Sequence, residues 1–209
     1  MKILLLSPHT DDIELGAGGT LIKLLEEKNN DICWAVFSMC EDALPAGLPP
    51  DTGKKEFINV VSKLGIKNYR IYNFPNKNFS QYRQEILNEL DKIKREFEPQ
   101  LVVTPSLNDS HQDHKTVSEE VVRIFERDAS IIGYEMPWSN LVFSPQLLVV
   151  LTEKQLEEKW RILSSYESQF ILQRKYFSKE FIFGWARMRG VQCNSKYAEA
   201  FEVTRWIVR

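Results

Sequence analysis

The sequence is short of cysteine, of net charge and of long apolar runs, and each shortage removes a class of protein. Cys33, Cys40 and Cys193 are odd in number and form no CxxC pair. They support neither a disulfide framework nor a thiolate metal site, and predict reduced thiols in a cytoplasmic protein. The 27 Lys and Arg against 29 Asp and Glu leave a formal charge of -2, which gives no electrostatic case for nucleic acid or an anionic membrane as partner. The apolar start Met1–Leu6 runs straight into Ser7, Pro8 and His9. It is far short of the ~20 residues of a membrane span and lacks a signal-peptide cleavage site, so no stable membrane insertion is expected. Repeats, low-complexity stretches and charge blocks are missing as well.

What is present is enough for one α/β domain over residues 1–209, with 43% hydrophobic and 27% charged residues. Lys2–Ser7 is a continuous apolar run, as suits a strand buried on both faces. Leu21, Leu24 and Leu25 have helical spacing within 18–28, and 32–39 reads as the second strand. Pro and Gly make 43–52 a loop. The helix expected over 54–64 stops at Gly65, which supplies a left-handed cap. A short strand at 69–72, a long amphipathic helix over 81–97 ended by Pro99, a strand at 100–104, a helix over 115–127 and a strand at 131–135 follow. Beyond Trp138 the pattern predicts a strand at 147–151, helices over 153–166 and 179–189, and a closing strand at 198–207. This order predicts a Rossmann-like, mostly parallel sheet with helices on both faces.

In such a sheet ligands bind beyond the carboxyl ends of the strands, where the strand order reverses. With order 3-2-1-4 that point lies between the first and fourth strands. The segments leaving them, Pro8–Asp12 and Pro105–His114, hold all three histidines of the chain, His9, His111 and His114. Imidazole and carboxylate are the nitrogen and oxygen ligands of zinc, and a catalytic site takes three of them plus water. His9 and Asp12 stand three residues apart at a turn, and His111 and His114 have the same spacing at a helix start. Each motif alone is commonly a capped turn or a solvated helix start, and Asp11 or Asp12 could simply cap the following helix. Their convergence at one mouth predicts a metal site with groups to spare for acid–base work.

The glycine turn Gly16-Ala17-Gly18-Gly19 offers a rival reading as a dinucleotide loop. It begins ten residues after Leu6, the last apolar residue of the strand, and Leu21 takes the place of the third glycine. The glycines are therefore read as letting the helix start pack close to the metal loop, with phosphate binding left open.

At these residues the sequence resembles the PIG-L / LmbE-like family of zinc deacetylases. Pro8-His9-Thr10-Asp11-Asp12, then Leu15-Gly16 and Gly18-Gly19-Thr20, is similar to the family's PHPDD segment. His111-Gln112-Asp113-His114 matches its HxDH, and Arg189-Gly190 and Tyr197-Ala198-Glu199-Ala200-Phe201 resemble its closing segments. Thr10 departs from the usual proline. Gly53 stands three residues before Glu56, where the family often has a substrate-contacting arginine, and Lys54 or Lys55 is the expected substitute.

The resemblance implies that His9, Asp12 and His114 bind Zn2+, with Fe2+ accepted by the same donors. It implies Asp11 as general base and His111, oriented by Asp113, as stabiliser of the oxyanion. Protonated His111 would add charge there, and either Asp11 or His111 would supply the leaving amine's proton. The substrate implied is a small N-acetylglucosamine-type amino sugar. Beside this stand a zinc hydrolase of a non-sugar amide or ester, and a non-catalytic nucleotide- or sugar-binding module. The loop 43–51 is a candidate lid, and Tyr134 and Trp138 are candidates for stacking on a sugar or for the core. Trp160, Phe170, Phe177, Phe181, Phe183 and Trp185 predict a covered sheet edge or a homo-oligomer interface.

Overall fold

A computed structural model of the chain describes residues Met1–Val208. Seven strands form one sheet: β1 Lys2–Ser7, β2 Asp31–Val36, β3 Tyr69–Ile71, β4 Leu101–Pro105, β5 Ser130–Tyr134, β6 Leu147–Leu151 and β7 Tyr197–Arg205. Their order is β3-β2-β1-β4-β5-β7-β6. The first five are parallel, and β7 runs antiparallel between β5 and β6. The reversal of strand order falls between β1 and β4, as the 3-2-1-4 expectation required.

Side chains alternate across a strand, and β1 shows both faces buried. Ile3 and Leu5 join one core with Leu21 of α1 (Asp12–Glu26) and Phe57 and Val60 of α2 (Thr52–Lys63). Leu156 of α5 (Glu153–Leu163) and Ile182 of α7 (Lys179–Val191) complete that layer. Leu4 and Leu6 enter the opposite core with Ile86 and Leu90 of α3 (Arg83–Phe97) and Val117 and Val121 of α4 (Gln112–Phe125). The four-residue steps within α3 and α4 are the apolar stripes that bind them to the sheet. At the end of α2, Gly65 takes φ +70, and the Gly65 and Ile66 amides donate to Ser62 and Val61, as a left-handed helix cap requires.

Two boundaries differ from the pattern-based reading for identifiable reasons. The first helix begins at Asp12, six residues before the expected start, and runs through the glycines with a kink at Ala17 (φ -141, ψ 16). The kink frees the amides of Gly19 and Thr20, and both donate to the buried Glu199 carboxylate, at 2.8 and 2.6 Å. Lys159 neutralises Glu199 at 2.7 Å and donates to the Leu15 carbonyl at 2.6 Å. The glycines serve close packing on the sheet rather than on the metal loop. A Cβ on Gly16 would lie 2.4 Å from the Tyr134 ring, and one on Gly19 would lie 2.3 Å from Leu151. Those two amides are the ones a phosphate would use, and Glu199 already fills them.

The other difference is the single helix expected over 153–166. It breaks at Ser164–Tyr166, and a short α6 follows (Glu167–Ile171). Most of the C-terminal aromatics join the core on the α1 side of the sheet, where α7 lies on β7 and the edge strand β6: Phe177 and Trp185 are buried, Trp160, Phe181 and Phe183 are partly buried, and Phe170 stays exposed. Among the described residues no helix is long and apolar enough to cross a membrane.

Candidate metal centre and active site

The loop after β1 and the start of α4 meet at the carboxyl edge of the sheet. His9 Nδ1 lies 3.2 Å from His114 Nε2, and each lies 3.3 Å from Asp12 Oδ2. Three donor atoms therefore form a nearly equilateral triangle. Tetrahedral zinc with bonds of about 2.0–2.1 Å places its ligand atoms about 3.3–3.4 Å apart, so the triangle has the dimensions of one face of such a site. Asp12 is fixed by the His9 amide, which donates to Oδ2 at 2.7 Å.

Each histidine is set by a carboxylate on its far nitrogen. Asp109 Oδ2 lies 2.8 Å from His114 Nδ1, and Asp113 Oδ2 lies 3.1 Å from His9 Nε2. A carboxylate only accepts, so these contacts hold the ring protons on the far nitrogens and turn the basic nitrogens toward the triangle. Asp109 also accepts the His111 amide at 2.8 Å. Asp113 is anchored by the amides of Lys77 at 2.6 Å and Phe79 at 3.2 Å. The expected pairing of Asp113 with His111 is thus replaced by one with His9. What His111 receives from Asp113 is its backbone N–H, donated to Nδ1 at 3.3 Å. The three imidazoles pack together, and one nitrogen from each lies within 4.8 Å of the others.

The electrostatics are those of a site that wants a cation. Burial opposes charge on His9 and His114, but the carboxylates around them, Asp12 foremost, outweigh it and raise the two imidazoles to about 9 and about 10. Burial also opposes ionisation of Asp12, yet His114 and His9 hold it far below the carboxylate range. Asp11 behaves oppositely. It is buried, makes no capping hydrogen bond to α1, and is pushed up to about 7 by burial and by Asp12 beside it. His111 is driven down to about 4 by burial and by the other two imidazoles, which leaves it neutral.

These groups open into a cavity of about 310 Å3, at the small end of ligand pockets. His9, Asp11, Asp12, His111 and His114 form its floor, and Met39, Cys40, Ala43 and Leu44 one wall. Ser168, Gln169, Leu172, Arg174 and Tyr176 approach from the segment around α6, beside Trp138.

A family model described as GlcNAc-PI de-N-acetylase, PIG-L, matches residues 4–125, more than half of the chain. The chain belongs to the PIG-L family. The Escherichia coli protein named uncharacterized deacetylase YaiS is 26% identical over 171 residues, covering 79% of this chain and 90% of its own. The N,N'-diacetylchitobiose deacetylase of Pyrococcus horikoshii, in complex with an inhibitor, superposes with a TM-score of 0.81 at 21% identity. That match covers 97% of this chain and 83% of the other. GalB of Pseudomonas putida, a 4-carboxy-2-hydroxymuconate hydratase, reaches 0.76 at 18% identity over 100% and 98%. At these identities both likenesses show the fold alone, and deacetylase and hydratase share it.

Against the PIG-L pattern, the departure at Gly53 has a steric cause. A Cβ there would lie 2.3 Å from the Met39 carbonyl oxygen, so no arginine fits without moving backbone. The expected substitutes do not take its place: Lys54 is exposed, Lys55 pairs with Asp51 at 2.8 Å, and neither lines the cavity. Glu56 is occupied by the Ser168 amide and hydroxyl, at 2.9 and 2.7 Å, and so ties α6 to α2 at the rim. Thr10, in place of proline, offers its carbonyl to the Tyr166 hydroxyl at 2.6 Å. Tyr134 is core, with its hydroxyl donating to Leu6, whereas Trp138 is 40% exposed at the cavity. Sequence reasoning missed Asp109, whose signal was a carboxylate five residues ahead of His114. It also missed Tyr176 and Arg174, which no local motif marks.

Proposed function

We propose that this PIG-L family member is a zinc-dependent hydrolase that removes the acetyl group from an N-acetylglucosamine-type substrate, giving free amine and acetate. The observation that carries the reading is the triangle of His9 Nδ1, Asp12 Oδ2 and His114 Nε2, open to a cavity that also holds Asp11 and His111. His9, Asp12 and His114 would hold the metal. When bound, zinc brings the pKa of a water to about 7 and polarises a carbonyl.

The chain's own residues supply the proton chemistry. Asp11 accepts the proton lost by the attacking water, and burial beside Asp12 tunes its carboxyl for that role. His111 Nδ1 is taken by the Asp113 amide, so the neutral ring carries its hydrogen on Nε2. That N–H is the donor for the oxygen on which negative charge develops. Since neutral His111 keeps its proton, Asp11 returns its own to the departing amine.

The test is release of free amine from N-acetylglucosamine glycosides by zinc-loaded and chelated protein. Metal-dependent release of amine and acetate in equal amounts supports the proposal. Bound metal with no release from any amino sugar would move the reading to a non-sugar amide or ester.

A further inference from the structure

The metal ligands and the base are held in different ways. His9, Asp12 and His114 each have a hydrogen bond on the side chain itself, to Asp113, the His9 amide and Asp109 respectively. The Asp11 carboxylate has nothing of that kind. It makes no capping bond to α1, and no other side chain hydrogen-bonds it among the described residues. Its place on the cavity floor is therefore set by its backbone. On one side, the Leu15 amide donates to the Asp11 carbonyl at 3.0 Å. On the other, the Tyr166 hydroxyl donates at 2.6 Å to the Thr10 carbonyl, which belongs to the peptide joining Thr10 to Asp11.

Tyr166 is itself firmly placed. It is fully buried at the break between α5 and α6, where its amide donates to Leu163 at 3.0 Å and its carbonyl accepts from Gln169 at 3.1 Å. Two residues on, Ser168 is gripped by Glu56 of α2 through its amide and its hydroxyl. The Tyr166 hydroxyl also lies 2.5 Å from Glu14 Oε1. One oxygen thus spans the turn that carries Asp11 and Asp12, from the residue before the pair to the second residue after it. Removing it would leave two buried polar groups without their partner, and a turn so deprived must move to satisfy them. Asp12 has the His9 amide to hold it through such a shift, and Asp11 has no equivalent.

Resting on the hydrolase reading, we infer that Tyr166 is a positioning residue for the general base: its hydroxyl fixes the Thr10–Asp11 peptide and so aims the Asp11 carboxylate at the attacking water. Tyr166 does not line the cavity and touches none of the reacting atoms. Its effect on rate passes through Asp11 alone. An error of about 1 Å in the aim of a catalytic group costs about 100-fold.

The experiment is a double-mutant cycle on the zinc-loaded protein, with the methyl glycoside of N-acetylglucosamine as substrate and released amine as the signal. Tyr166→Phe should lower kcat by about 10- to 100-fold, with KM and zinc affinity within about twofold of wild type. In an Asp11→Asn background the same change should cost less than about twofold, since the group it aims is gone. A hydroxyl that only stabilises the fold would cost as much in both backgrounds, and that result overturns the inference. So does a Tyr166→Phe protein with wild-type kcat, or one whose loss lies in KM or zinc affinity. Para-aminophenylalanine at position 166 keeps a weaker donor in the same place. Its kcat should fall between the other two, and it replaces Tyr166→Phe in the cycle if that variant does not fold. Crystal structures of wild type and variant read the geometry apart from turnover. Asp11 displaced while His9, Asp12 and His114 stay in place, with no acetate released by wild type, would sustain the positioning of Asp11 by Tyr166 and sink the hydrolase reading. Amine release with Asp11 unmoved in the variant would do the reverse.

Discussion

The most informative substitution is Asp109→Asn, because Asp109 would act on a metal held by His114 only through that imidazole. Its two oxygens accept from two different donors, His114 Nδ1 and the His111 amide, both at 2.8 Å. An asparagine has one oxygen and one NH2, so whichever way its amide is turned, one donor faces another donor. If the oxygen serves His114, the acceptor has lost its charge and the His111 amide is orphaned. If it serves His111, His114 is free to adopt the wrong tautomer or to rotate. A hydrogen bond involving a charged group contributes about 1.5–3 kcal/mol, and about 1.4 kcal/mol is a factor of ten. Zinc affinity should therefore fall by about 10- to 100-fold, in line with what such outer carboxylates contribute elsewhere. The assay is competition for zinc against a chelator of known affinity, with circular dichroism of the metal-free variant confirming that it is folded. A folded Asp109→Asn protein that binds zinc within about twofold of wild type would refute the argument.

Asp11→Asn should keep stoichiometric zinc and lose about two to four orders of magnitude in turnover, the usual contribution of a general acid–base group; metal analysis and amine release together check this, and full activity would remove Asp11 from the mechanism. Zinc must displace protons from His9 and His114, which stand at about 9 and about 10 in the metal-free protein. Apparent zinc affinity should thus keep rising with pH above 7.5 and toward 9, and a chelator-corrected titration that is flat there would contradict it. Gly16→Ala places a methyl 2.4 Å from the buried Tyr134 ring. Overpacking of that kind costs about 1–3 kcal/mol, so the melting temperature should drop by several degrees, whereas an unchanged value would mean the ring yields freely.

Much of the scaffold was legible because it rests on local signals. The apolar run of β1, the four-residue steps of α3 and α4 and the cap at Gly65 each report a backbone state directly, and the 3-2-1-4 order followed from alternating strands and helices. The convergence of His9, Asp12 and His114 was legible for the same reason, since the loops after β1 and β4 must share one edge. What was hidden depends on partners far along the chain. The helical path through Gly16–Gly19 needs Glu199 and Lys159, more than 140 residues away, to satisfy the kinked backbone. The break at Ser164–Tyr166 carries no Gly or Pro, and it lets the Tyr166 hydroxyl reach Thr10 in the loop after β1 and Glu14 in the first turn of α1. Spacing alone could not choose which imidazole Asp113 would meet, because that depends on where the chain near Lys77 crosses the start of α4.

The central claim is that one metal ion sits on the triangle of His9 Nδ1, Asp12 Oδ2 and His114 Nε2. Anomalous diffraction at the zinc edge from crystals of the zinc-loaded protein tests it directly. A single peak is expected about 2.0–2.1 Å from each of those three atoms, with the remaining position facing Asp11 and His111. A peak bound through His111, or through the far nitrogens that Asp109 and Asp113 are said to hold, would contradict it.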